Sequence, residues 1–251
     1  MEDSDVTILV TGGTKGIGLE IACRFAKPDA EVFLNFRADR AAAQLARLRI
    51  EAKGARCTLI QGDVGTPSGA KAVLAEVVAR CDRLDQLVHC AVKVVSGPVL
   101  EVDPDAFTEA VNLNGTAMIY LVQAARSLLR RGSTVIFLSS RGGRTPLPNY
   151  ASVGAGKALA ECLVRYLALE LAPLGVRANC VAPGAVDTEA LRQVYGDQTD
   201  ARLAEFAAAN PSGRNVSHDD YCNLIEFLAS PAAAMIQGQV MFVNGGSYLA
   251  A

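Results

Sequence analysis

The stretch "VTILVTGGTKGIGLEIACRFAK", residues 6–27, decides how the rest of the chain is read. It opens with the β-branched and aliphatic run of a strand, breaks at glycines, and resumes with the apolar spacing of an amphipathic helix. Between the two lies "TGGTKGIG", residues 11–18. Gly12 permits a tight turn, Gly16 lets main-chain amides approach a pyrophosphate, and Gly18 lets the helix pack closely. The helix amino terminus then favours phosphate charge. Thr14, Lys15 and Ile17 complete this candidate nucleotide-binding turn.

Working outward, strands and helices alternate. "EVFLNF" reads as a strand and residues 40–54 as a helix ending on Gly54. "RCTLIQGDV" is a third strand, and Pro67 opens a helix running through Arg80. "LDQLVHCAV" is a fourth, followed by a long helical stretch from about Pro104 to Arg130, then "STVIFLSS" as a fifth. A helix from about Tyr150 to Leu174, the strand "GVRANCVAP", an irregular segment, a helix near 219–229 and a last strand "GQVMFVN" follow. Near-continuously apolar strands alternating with helices predict a parallel sheet covered on both faces. The expectation is one α/β domain spanning 1–251, a Rossmann-type doubly wound sheet with ligands at the carboxyl ends of its strands.

Bulk properties narrow the function. The 24 basic and 26 acidic residues nearly cancel, which argues against an electrostatic nucleic-acid partner. No apolar run approaches the ~20 residues of a membrane span, and no signal peptide opens the chain. Seven scattered cysteines without C-x-x-C spacing, and only two histidines, make a metal cage improbable; reduced thiols in a cytoplasmic protein are expected.

An acid at the end of the second strand would hold the ribose of NAD. Here "NFRADR" puts Phe36 there and Arg37 after it. Arg37, with Lys15 as a second cation, suits the 2′-phosphate of NADP(H).

These motifs together resemble the short-chain dehydrogenase/reductase family across the whole chain. The glycine turn resembles that family's Thr-Gly-x3-Gly-x-Gly. "GDV" at 62–64 is similar to its adenine-contacting segment, which implies roles for Asp63 and Val64. "VNLNG" at 111–115 carries the family's helix-borne asparagine as Asn112, which either holds a water in a proton relay or ties helix to strand. "VAPGAVDT" at 181–188 resembles the nicotinamide-side loop, implying contacts from Pro183, Gly184, Val186 and Thr188. Ala91 falls in the fourth-strand ending, where "HCAV" replaces the family's Asn-Asn-Ala-Gly. His89 in that ending either titrates near neutrality or is a neutral structural substitute.

The resemblance also implies a serine, tyrosine and lysine site, and here the chain departs from the common pattern. Lys157 lies 27 residues before Gly184, the family's interval, and Ser140 ends the fifth strand. The common Tyr-x-x-x-Lys would place tyrosine at 153, which is Val153; the tyrosine is Tyr150 instead. On a helix, offsets of four and seven share nearly one face, so Tyr150 is displaced by one turn, ~4.5 Å along the axis. A hydroxyl so displaced suits reduction of an α,β-unsaturated thioester, where charge develops on an oxygen two carbons from the carbon that receives hydride. Tyr-x6-Lys, with "NPSGR" at 210–214, is similar to the NADPH-dependent type III enoyl-acyl-carrier-protein reductases.

The expected activity is NADPH-dependent enoyl-thioester reduction. The alternatives are a ketoreductase of secondary metabolism and an inactive NADP-binding protein. Residues 187–214 match the family's substrate lid, with Leu191, Val194, Tyr195, Leu203 and Phe206 either flooring an acyl channel or pinning the lid. Arg141 and Arg144 either meet an acidic carrier protein or are ordinary surface charges. The resemblance implies a homotetramer, packed through the helix at 150–174.

Overall fold

The computed structural model describes residues 6–249. Seven strands form one parallel sheet: β1 (Thr7–Thr11), β2 (Glu31–Phe36), β3 (Arg56–Gln61), β4 (Gln86–His89), β5 (Thr134–Leu138), β6 (Arg177–Pro183) and β7 (Val240–Val243). Their order is β3-β2-β1-β4-β5-β6-β7, so the chain reverses direction across the sheet between β1 and β4. Thr11 at the end of β1 is in register with Asn35 on one side and His89 on the other. A crevice opens at such a reversal, outside the carboxyl ends of the strands.

Both faces are covered because alternate side chains of each strand point to opposite faces. Leu9, Phe33, Leu87 and Phe137 join one core with Leu74, Met118, Leu121 and Val164. Those core residues come from α3 (Pro67–Val78), α5 (Ala117–Ala125) and α6 (Ala151–Leu171). Ile8, Val10, Leu34, Val88 and Ile136 join the other with Ile21, Ile50, Tyr221 and Ile225. They meet α1 (Gly16–Phe25), α2 (Arg40–Glu51) and α9 (His218–Ala229). Helix starts follow local chemistry: Asp39 caps α2, and Thr66 before Pro67 caps α3. Asp103 before Pro104 caps α4 (Pro104–Val111) in the same way.

Two regions differ from the sequence-based reading. The long helix expected from 104 is interrupted by a π turn, Asn112–Thr116, between α4 and α5. The cause is α6 pressing on it: a Cβ on Gly156 would lie 2.5 Å from Asn114 Cβ, and one on Gly115 would lie 2.7 Å from the Gly156 carbonyl. The segment after β6 is not irregular. It holds α7 (Glu189–Tyr195) and α8 (Thr199–Ala209), joined by a short 3-10 turn.

Candidate active site

The glycine turn between β1 and α1 is built by close main-chain approach. Gly12 has φ +61°, and a Cβ there would stand 2.7 Å from the Ala91 Cα at the end of β4. A Cβ on Gly18 would lie 2.4 Å from the Gly12 carbonyl, so only glycine lets α1 start this near the turn. Thr14 is buried in the turn, and Gly16 is faced by the Thr188 side chain. Asn35 supports this edge by donating to the Ile60 and Gly62 carbonyls.

The charges expected to meet a 2′-phosphate are differently disposed. Arg37 is exposed just past β2, while Phe36 before it is buried, so no acid stands at that strand end. Lys15 is already engaged: its Nζ lies 2.7 Å from Asp39 and 2.9 Å from Glu189, which raise its pKa. Its charge is therefore met by two carboxylates, while the Arg37 side chain has no ion pair among the described residues. Asp63 turns its Oδ1 back to the Gly65 amide at 2.9 Å, and Val64 is buried beside it.

His89, at the end of β4, is fully buried. Its Nδ1 lies 2.6 Å from the Thr11 hydroxyl and its Nε2 2.9 Å from the Leu113 carbonyl. Burial pulls its pKa down to about 4, so the ring is neutral; Nε2–H then donates to the carbonyl and Nδ1 accepts from threonine. Cys90 is held as a thiol because burial pushes its pKa up.

At the carboxyl ends of β4, β5 and β6 lies a cavity of about 260 Å³. Ser140, Tyr150 and Lys157 all line it, with Ile17, Pro183, Gly184, Val186 and Thr188 on the side of the glycine turn. Lys157 is buried, donates to the Leu138 carbonyl at 2.6 Å and lies 4.6 Å from the Phe137 ring centre. Desolvation pulls its pKa down to about 8.

Tyr150 is not inside the helix but caps it. Asn149 before it has φ +59°, a left-handed conformation asparagine tolerates, and the Tyr150 carbonyl accepts the Val153 and Gly154 amides. Its ring lies against the 3-10 turn Arg141–Gly143, where a Cβ on Gly142 would come within 2.6 Å of it. Burial raises the phenol pKa, an effect partly offset by the Ser140 hydroxyl. Val153, at the commoner tyrosine position, is buried and does not line the cavity.

The structure does not bring Asn112 to this group. Its side chain stays on the π turn, accepting from the Thr116 hydroxyl at 3.5 Å, and it does not line the cavity. The tie between helix and strand end is made by Asn114, which had not been singled out. Asn114 is fully buried, accepts from the Lys93 amide and donates to the Lys93 and Ser152 carbonyls. The signal for it was weak: a second asparagine two residues on, distinguishable only once the π turn is known.

From the lid, Leu191, Val194, Tyr195 and Phe206 line the cavity, with Tyr195 and Phe206 packed edge to face at 5.9 Å; Leu203 does not. Arg144 is engaged within the chain. It binds buried Glu161 at 3.0 Å and covers the Phe242 ring, while Ser139 donates to the same carboxylate at 2.6 Å. Arg141 lines the cavity.

The sequence pattern of the family described as enoyl-(acyl carrier protein) reductase matches residues 12–248. The chain is 30% identical over 238 residues to a 1-cyclohexenylcarbonyl-CoA reductase of Streptomyces collinus, covering 95% of this chain and 85% of that one. It is also 30% identical over 243 residues to a 3-oxoacyl-acyl-carrier-protein reductase of Staphylococcus aureus, covering 96% and 97%. Its fold superposes on the RhlG/NADP active-site complex of Pseudomonas aeruginosa with a TM-score of 0.88, at 28% identity and 98% coverage of each chain. A glycine turn at the sheet reversal, a buried lysine and a phenol sharing one cavity, and matches along nearly the full length place this chain in the short-chain dehydrogenase/reductase family of oxidoreductases.

Proposed function

We propose that the protein reduces the carbon–carbon double bond of an enoyl thioester with NADPH. The observation carrying this reading is the position of its phenol. Tyr150 shares the cavity with Ser140 and Lys157, while position 153, where a ketone-reducing phenol would stand, is a buried valine. NADP(H) is supported by exposed Arg37 with no acid at the β2 end, and by the NADP complex of the Pseudomonas relative.

The nicotinamide, when bound, supplies hydride to the substrate's β-carbon. Negative charge then gathers on the thioester oxygen, two carbons away. The Tyr150 hydroxyl donates to that oxygen, and burial, by raising its pKa, keeps the proton in place beforehand. The Ser140 hydroxyl, in the same cavity, partly offsets the rise in the phenol pKa. Lys157, anchored on the Leu138 carbonyl in the same cavity as Tyr150, would hold the cofactor ribose. Leu191, Val194 and Phe206 exclude water, which strengthens the hydrogen bond to the developing charge. The α-carbon is protonated afterwards.

The test is NADPH oxidation measured side by side with crotonyl and acetoacetyl thioesters. Turnover of the crotonyl substrate alone supports the proposal. Turnover of the ketone alone favours a ketoreductase, the reading supported by the Staphylococcus relative. NADPH binding with neither turnover assigns an inactive cofactor-binding protein. The same reading has the substrate carried on an acyl carrier protein, tested by comparing crotonyl-carrier with crotonyl-coenzyme A. It also has four copies packed through α6, whose Tyr166 and Leu169 are 63% and 76% exposed. A native mass measurement checks the tetramer.

A further inference from the structure

A second cation stands in the cavity besides Lys157. Arg141 directly follows Ser140, opens the 3-10 turn and lines the same space. Its main chain is pinned, because its carbonyl accepts the Arg144 and Thr145 amides, both at 2.9 Å. The Ser140 hydroxyl caps the turn by accepting the Gly142 amide at 3.2 Å. Its guanidinium is treated quite differently from its neighbour's. Arg144, three residues on, is spent on buried Glu161. Among the described residues, the Arg141 side chain has no carboxylate within ion-pair distance and no hydrogen-bond partner.

The cavity itself supplies no counter-charge. No aspartate or glutamate among the described residues lines it, and its walls include Leu147, Leu191, Val194, Tyr195 and Phe206. A half-buried cation facing an apolar, acid-free space is costly unless something negative arrives with the ligand. A guanidinium binds a carboxylate through two parallel hydrogen bonds, and gains most where water is excluded.

We infer that Arg141 reads a carboxylate on the acyl portion of the substrate, so that the enzyme prefers enoyl thioesters bearing a second acidic group a short way beyond the double bond. For its substrate this inference rests on the enoyl-thioester reading. The alternative anion of such a substrate is the phosphate of its pantetheine arm. That phosphate lies a whole extended arm from the thioester carbonyl. Arg141 is adjacent in sequence to Ser140, which lines the cavity together with Tyr150, the donor to that carbonyl. One arginine side chain does not span the arm. A neutral acyl chain gives the guanidinium nothing, so the selectivity is built from an unmet charge.

The experiment uses the coenzyme A thioesters of pent-2-enoic acid and of its analogue whose terminal methyl is a carboxylate. Both carry identical phosphates, so a difference between them reports the acyl carboxylate alone. The expected result is at least a ~10-fold higher kcat/KM for the carboxylated substrate, mainly through KM, as one charge-assisted pair provides. Arg141→Met is expected to bring the ratio close to one, and Arg141→Lys to restore part of it. A second readout is calorimetry of the NADP-loaded protein with the saturated pair, pentanoyl- and glutaryl-coenzyme A. Tighter glutaryl binding that is lost in Arg141→Met supports the anion site, even if neither enoyl substrate is reduced; that last outcome would end the enoyl reading alone. Equal binding of the saturated pair, or a preference that survives Arg141→Met, overturns the inference. So does a loss of NADPH affinity in Arg141→Met as large as the loss of preference, because it would assign the arginine to the cofactor.

Discussion

Along β1 and β2 the crevice is made largely of main chain; along β5 and α6 it is made of side chains. On the first side, Gly12, Gly16 and Gly18 bring main chain within reach of a phosphate, and the Gly12 turn touches the Ala91 main chain directly. On the second, the cavity gathers a phenol, an ammonium and a guanidinium, each held by a different device. Tyr150 is set by a left-handed asparagine and a glycine-lined turn. Lys157 is anchored on a strand carbonyl. Arg141 has its main chain fixed and its side chain unpaired among the described residues. A main-chain site tolerates almost no change at its glycines but says little about the substrate. A side-chain site is open to substitution, and its chemistry moves when one residue does.

The largest expected effect breaks the first side. Gly12→Val places a branched side chain at φ +61° and against Ala91, so NADPH should no longer raise the melting temperature, and stability should fall by ~3 kcal/mol or more. A retained NADPH-induced shift would mean the turn is not the cofactor site. Next, Tyr150→Phe removes one donor to the developing oxyanion, a loss of ~3–4 kcal/mol of barrier or ~10²–10³ in kcat, with NADPH affinity nearly unchanged. Stopped-flow measurement of hydride transfer separates chemistry from binding.

The pH dependence sharpens the contrast, because only the side-chain half titrates near neutrality. Lys157 has a folded pKa of about 8, lowered by burial from 10.5. Activity that needs its charge should fall as pH rises through about 8, close to tenfold per unit. Folding stability from the same group moves the opposite way. Between about 8 and 10.5 the unfolded chain binds more protons at this site, so stability rises with pH across that window. Lys157→Met should flatten both profiles, seen in pH–rate curves and in denaturant titrations at pH 7 and 10.

The smallest effects divide the two cations of the cofactor side. Arg37→Ala should raise the KM for NADPH by ~10-fold while leaving NADH nearly unaffected, as expected for losing one phosphate pair. Lys15→Ala should change the same ratio by less than ~3-fold, because its charge is already met by Asp39 and Glu189. A Lys15 effect as large as that of Arg37 would mean that the ion pairs open when cofactor binds.

Much of this was legible before the fold. The β1–α1 glycine turn, the seven strands, Lys157 by its distance to Gly184, and the displaced Tyr150 all follow from short-range pattern, where a residue's neighbours in sequence decide its conformation. The lid is legible as a segment, 187–214, but its helices are not, because α7 and α8 are short and their apolar residues face a cavity formed by distant strands. The family resemblance singles out Asn112, whereas the side chain that ties the helix to the strand end is Asn114, on a π turn packed closely against α6. The ion pairs of Lys15 are not legible in the sequence, since one partner, Glu189, lies 174 residues away.

What the sequence determined alone is the sheet, its glycine turn and which serine, tyrosine and lysine come to share one cavity, because strand alternation, glycine spacing and helix periodicity are local properties. Tertiary structure decided which charges remain free to meet a ligand. Arg144 and Lys15 find carboxylates brought to them by folding, and Arg141 finds none among the described residues. Charge pairing depends on distances of a few ångströms between residues far apart in the chain, and only packing sets those distances.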